Sequence, residues 1–187
     1  MKKIFLSLVL ALLITAEAGA SLLPVGLYVG ARGGVGNNVA DTKINSASAI
    51  KGETSPFASA NAGVRFLKLR GEFEYMRRFN AISLTTGGSK KEAASEQMMA
   101  NLYYDVFDFL FLGFYINGGI GANKISASIV DSYDKRVWSA GFGASVSLLI
   151  FTADIGYRYF DLGSVKILGK SSKQESHDVY VGLRVGF

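Results

Sequence analysis

Along most of the chain, apolar and polar residues alternate with a period of two. In the last nine residues, Val179, Val181, Leu183, Val185 and Phe187 fall on one parity, and Tyr180, Gly182, Arg184 and Gly186 fall on the other. Successive strand residues point to opposite faces, so this segment predicts a strand with one apolar and one polar face. The same pattern recurs upstream. It predicts strands near Val25–Gly34, from Pro56 to Phe66, from Leu69 to Arg78, from Gln97 to Val106, from Leu110 to Asn123, from Trp138 to Leu148 and from Phe151 to Tyr159. With the C-terminal segment these make eight. Glu92–Met99 is also rich in helix formers, which leaves a short helical turn there as an alternative.

The stretches between strands alternate in length. Residues 35–55, 79–93, 124–136 and 161–177 read as long polar loops, and Leu67-Lys68, Phe107-Asp108 and Leu149-Ile150 read as tight turns. Charge sorts by parity too. Arg32, Arg65, Arg70, Glu72, Glu74, Arg78, Asp105, Asp154, Arg158 and Arg184 all lie on the polar faces. Arg77 and Glu96 fall on the apolar parity, at strand ends. A cationic side chain facing lipid at the bilayer midplane costs about 2–4 kcal/mol and much less at the interfaces, so a membrane-spanning wall demands this sorting. The fold expected is all-β: an eight-stranded, antiparallel, up-and-down transmembrane barrel. A lipocalin-like soluble barrel needs the opposite sense, apolar inside and polar outside, and the Gly- and Ser-rich polar parity is unsuited to a solvated wall.

The N-terminus adds an export signal. Lys2 and Lys3 precede the apolar stretch Ile4–Ala16, and Ala18-Gly19-Ala20 supplies small residues for cleavage. Residues 1–20 are therefore expected to be a cleaved signal peptide and 21–187 the barrel domain. No later segment is apolar for long enough to span as a helix, and a closed barrel is the other structure that pairs every backbone group in lipid.

Composition narrows the chemistry. The chain has 187 residues, no Cys, one His and 22 Gly, where average usage gives roughly 13. The net charge of +5 is dispersed, which gives nucleic-acid binding little support. Three G-x-G starts lack a third Gly and a following helix, so no nucleotide site is expected. No cofactor or metal site is expected either. Ser176-His177-Asp178 looks like catalytic material, but alternation points Ser176 and His177 to opposite faces. The inward charges suggest a salt-bridged plug, with Asp154 meeting Arg184 and Glu72 meeting Arg65. Tyr75, Phe79, Tyr104, Phe107, Phe109, Trp138, Tyr159 and Phe160 look like aromatic girdles. The loop residues Lys43, Lys51, Lys166, Lys170 and Lys173 could meet lipopolysaccharide phosphates or host polyanions.

Asp154-Ile155-Gly156-Tyr157-Arg158-Tyr159 and Val181-Gly182-Leu183-Arg184-Val185-Gly186-Phe187 resemble the last two strands of small outer-membrane barrels. Asn101-Leu102-Tyr103-Tyr104-Asp105 and Gly118-Gly119-Ile120-Gly121-Ala122 also fit. The similarity is to the opacity-type surface antigens, NspA, OmpX and the transmembrane domain of OmpA, and it covers the whole exported chain. Unlike full-length OmpA, the chain is expected to carry no peptidoglycan-binding domain after the barrel. The resemblance implies a location in the outer membrane, a non-enzymatic structural or surface-interaction role, and a monomer among outer-membrane lipids and lipopolysaccharide, with a host or surface ligand on its loops. It also implies that Val179, Val181, Leu183, Val185 and Phe187 form the signal read by the barrel-assembly machinery. The alternatives are a narrow porin-like channel and, third, a lipid A-modifying enzyme.

Overall fold

A computed structural model describes residues 25–187 apart from 45–46, 87–88, 127–134 and 168–169. Eight antiparallel strands close into one barrel: β1 (Val25–Ile44), β2 (Ala47–Phe66), β3 (Leu69–Thr86), β4 (Ser89–Phe109), β5 (Leu112–Ser126), β6 (Lys135–Leu148), β7 (Phe151–Ile167) and β8 (Lys170–Gly186). Each strand pairs with its sequence neighbours, and β8 pairs with β1. The signal peptide expected at residues 1–20 lies outside the described residues.

Register sets the shape. A row of paired residues starting at Tyr28 passes through Gly63, Glu72, Asn101, Gly119, Ser139, Phe160 and Ser176. It returns to β1 at Asn38, ten residues from its start. Such a stagger requires tilted strands, roughly 35–45° from the barrel axis. The closure reaches the last residue: Leu27 N donates to Phe187 O at 3.0 Å, and Phe187 N to Leu27 O at 2.9 Å.

The alternation becomes the wall. Leu102, Phe142, Ile155, Val181 and Leu183 are exposed on the outside, while Arg70, Glu74, Arg78, Tyr103, Arg158 and Asp178 are buried inside. An outer surface this apolar suits hydrocarbon rather than water. Trp138, Tyr75 and Tyr159 stand on the outer face at one end of the wall, and Phe66, Tyr104, Phe107, Phe109 and Phe151 at the other. The girdle expectation fails for Phe160, which is fully buried in the lumen.

Two features of the sequence reading need correction. First, residues 35–44 and 47–55 are not loop but strand, as are 79–86, 89–93, 124–126, 161–167 and 170–177, paired throughout except at the irregularities over 79–81 and 162–163. The β1–β2 ladder runs nine pairs beyond Val35↔Pro56, about 30 Å of strand. Outside a membrane both faces of a hairpin are wetted, so the ladder needs no apolar parity and its polar sequence resembles a loop. Pro56 therefore stands within β2, just beyond the last β2–β3 pair, and Glu92–Met99 is strand rather than helix.

Second, the turn expected at Phe107-Asp108 lies at Leu110-Phe111. A bulge between Asp105 and Phe107 inserts one residue into β4, so Val106 and Phe107 both face outward and the hairpin extends. The three short turns share one geometry: Leu67, Leu110 and Leu149 each open a two-residue turn with φ of 53–54°. Positive φ at the first central position matches the right-handed twist of the flanking strands, though glycine usually fills it.

Candidate functional site: the lumen

The lumen is filled by ion pairs stacked in layers. Near the short turns, Arg184 donates from Nε and Nη2 to Asp154 at 2.6 and 2.8 Å. Across from it, Arg70 donates to Asp105 from Nε at 3.1 Å and from Nη2 at 2.9 Å. Tyr103 and Tyr115 lie under the Arg70 guanidinium at 4.6 and 4.9 Å. Tyr28 lies under Arg184 at 5.3 Å.

The middle layer is built on two glutamates. Arg32 grips Glu72 through two bonds of 2.6 and 2.7 Å, and Tyr28 and Tyr103 donate to the same carboxylate at 3.1 and 3.2 Å. Glu74 accepts two bonds from Arg158, at 2.6 and 3.1 Å, with Ser59 at 2.7 Å and Asn101 at 2.9 Å. Arg32 also approaches Glu74, at 3.4 Å. Paired, hydrogen-bonded charges of this kind avoid the cost that lone buried charges carry.

The third layer lies toward the long hairpins. Arg78 on β3 reaches Asp178 on β8 through bonds of 3.0 and 2.5 Å, and Ser176 donates to the same carboxylate at 2.6 Å. An apolar cluster surrounds the pair: Phe57, Met76, Met99, Val137, Phe160 and Leu162. Phe57 and Phe160 face the Arg78 guanidinium at 5.3 and 5.0 Å.

Of the ten residues assigned to the interior, nine are buried there. Arg65 is not. Its side chain is 49% exposed at the turn end, 3.5 Å from Asp108 and 3.9 Å from Asp105. The expected Glu72–Arg65 pair is absent because register places Gly63, not Arg65, opposite Glu72. Arg32, two strands away, fills that space by crossing the lumen. Asp178, also buried inside, is not among the interior residues assigned from the sequence. Parity with Tyr180, Gly182 and Arg184 was the signal that could have put it inside.

Small residues make room for this filling. A Cβ on Gly143 would lie 2.4 Å from Tyr115 Oη and 2.5 Å from the Ile155 carbonyl oxygen. One on Gly119 would clash with the Asn101 side chain.

The Ser176-His177-Asp178 triplet is divided by the wall. Ser176 and Asp178 are buried inside. His177 faces outward, where its Nδ1 lies 2.5 Å from Tyr157 Oη and its ring packs edge-on against Tyr159. Among the described residues no group of His, Asp and Glu side chains is arranged to hold a metal.

No protein-family model matches the chain, and no curated protein matches it by sequence. Solved structures do. Neisserial surface protein A (NspA) is 20% identical with a TM-score of 0.65, covering 86% of this chain and 97% of that one. The N-terminal β-barrel domain of Pseudomonas aeruginosa OprF is 12% identical with a TM-score of 0.55, covering 87% of this chain and 97% of that one. With its closed wall, outward apolar belt and filled lumen, the chain has the fold of the small eight-stranded outer-membrane barrels.

Proposed function

We propose that this protein is a structural and surface-interaction protein of the bacterial outer membrane, with a sealed barrel as the rigid base for its long hairpins. One observation carries the reading: the lumen is closed by interlocked ion pairs and capped by an apolar cluster. An eight-stranded barrel is just wide enough for side chains to fill, and here they fill it. What remains for contact lies at the hairpin end, and binding residues commonly sit on such segments above a rigid scaffold. The hairpins carry Lys43, Lys51, Lys166, Lys170 and Lys173, suited to anionic surface polymers. The divided Ser176-His177-Asp178 triplet gives a lipid-modifying enzyme no support.

Planar-bilayer recording on the refolded protein, paired with cell-surface binding by hairpin-deletion variants, tests the proposal. Baseline current and loss of binding on hairpin removal are expected. Stable conductance steps sensitive to Arg78→Ala, which opens the capping layer, would instead establish the channel.

A further inference from the structure

The outer wall is not uniformly apolar at its hairpin end. Arg77, Lys124 and Arg136 are all exposed on the outside, on β3, β5 and β6. Register places Arg77 opposite Glu96 and Glu96 opposite Lys124, in one row across three strands. The next row toward the short turns holds Tyr75, Met98, Ala122 and Arg136, and the one below it Phe73, Ala100, Ile120 and Trp138. Three cations with one carboxylate among them therefore stand just at and above the Tyr75 and Trp138 girdle. Among the described residues, no ion pair within 4 Å engages any of the three. On β7 Asp161 stands opposite Trp138, and on β8 Glu175 stands opposite Asp161, so among the described residues the positive charge at this level lies on β3, β5 and β6.

A groove runs down the wall beneath these cations. Arg136 and Trp138 border it on β6, Phe73 and Met98 on the far side, and Ala100 and Ala122 form its shallow floor. Phe73, Met98 and Ile120 expose 57%, 55% and 71% of their surface outward, as an acyl-chain bed requires. Arg77 and Arg136 are three strand spacings apart across the wall and two residues apart along it, about 16 Å on the diagonal. One phosphate cannot bridge that span, whereas a ligand with two separated phosphates can.

We propose that the β3–β6 wall binds the lipid A part of lipopolysaccharide, a twice-phosphorylated, multiply acylated glycolipid. Arg77 takes one phosphate, Lys124 and Arg136 take the other, and an acyl chain lies in the groove against Trp138. Arginine suits this task because its planar fork donates two parallel bonds to a phosphate. The site rests on insertion in the outer membrane but not on any role of the hairpins.

Trp138 is the only tryptophan of the chain and reports on the groove directly. Refolded protein is titrated with diphosphoryl lipid A, monophosphoryl lipid A and phosphatidylglycerol while Trp138 fluorescence is read. The diphosphoryl form is expected to shift and saturate the signal. Each lost cation is expected to weaken binding about fivefold, and R77Q/K124Q/R136Q together roughly a hundredfold. Loss of one phosphate is expected to weaken binding several-fold. Retention of wild-type affinity by the triple variant overturns the proposal. So does an equal response to phosphatidylglycerol, which would mark general attraction to anionic lipid. Heat modifiability on gels checks folding, and the single R136Q variant is read in the same way if the triple variant does not fold.

Discussion

Arg78 and Asp178 lie 100 residues apart in sequence, on strands that do not pair, yet their side chains meet through two bonds of 3.0 and 2.5 Å inside the barrel. Both are fully buried, with Ser176 beside them and an apolar cluster around them. Removing one partner leaves the other as an uncompensated buried charge. Asp178→Ala is expected to destabilise the folded barrel by about 3–5 kcal/mol. Replacing both, as Arg78→Met with Asp178→Leu, is expected to restore most of that loss, since the surrounding Phe57, Phe160 and Met99 accept apolar neighbours. Denaturant unfolding in lipid vesicles measures each variant. A double variant no more stable than the single one would show that the pair does more than neutralise itself.

Glu74 serves two arginines at once, Arg158 at 2.6 Å and Arg32 at 3.4 Å. Its removal strands Arg158 and takes a second carboxylate from Arg32, which keeps Glu72, whereas Asp154 serves Arg184 near the open end of the barrel. Glu74→Ala is therefore expected to cost more than Asp154→Ala, reaching or exceeding about 5 kcal/mol. Unfolding midpoints of the two variants in one lipid, with equal slopes, decide the order.

Two glycines, Gly118 of β5 and Gly143 of β6, should respond differently to a methyl group. A methyl on Gly143 meets Tyr115 Oη at 2.4 Å and a backbone oxygen at 2.5 Å, and the backbone cannot retreat. Gly143→Ala is expected to destabilise by about 1–3 kcal/mol through overpacking. At Gly118, on the lipid side, the nearest atom stands 3.8 Å away, so Gly118→Ala should be neutral. Thermal shifts of the folded band on gels separate them, and equal shifts would contradict the packing argument.

Phe187 closes the ring. Its backbone exchanges two hydrogen bonds with Leu27, and its side chain ends the outward series Val179, Val181, Leu183 and Val185. Deleting it is expected to lower the amount of heat-modifiable, folded protein in the outer membrane. Normal amounts would rule out a role for this residue in assembly.

The sequence by itself determined the wall. Alternation of period two depends only on neighbouring residues, so the outward face of Leu102, Phe142 or Val181 and the inward face of Arg158 or Arg184 could be read without coordinates. Eight strands, the Leu67-Lys68 turn and the Leu149-Ile150 turn were legible for the same local reason. The hairpin extensions were not, because a ladder wetted on both faces leaves no periodic trace. Nor was the shifted β4–β5 turn, since one bulged residue after Asp105 reverses the phase that alternation relies on. The tertiary structure alone decided who meets whom inside. Closure with a ten-residue stagger brings β3 across from β8, so Arg78 finds Asp178. It also brings Arg32 to Glu72, a partner that adjacency would have assigned to Arg65. Facing direction is a property of each strand, but partners across a lumen depend on the whole ring.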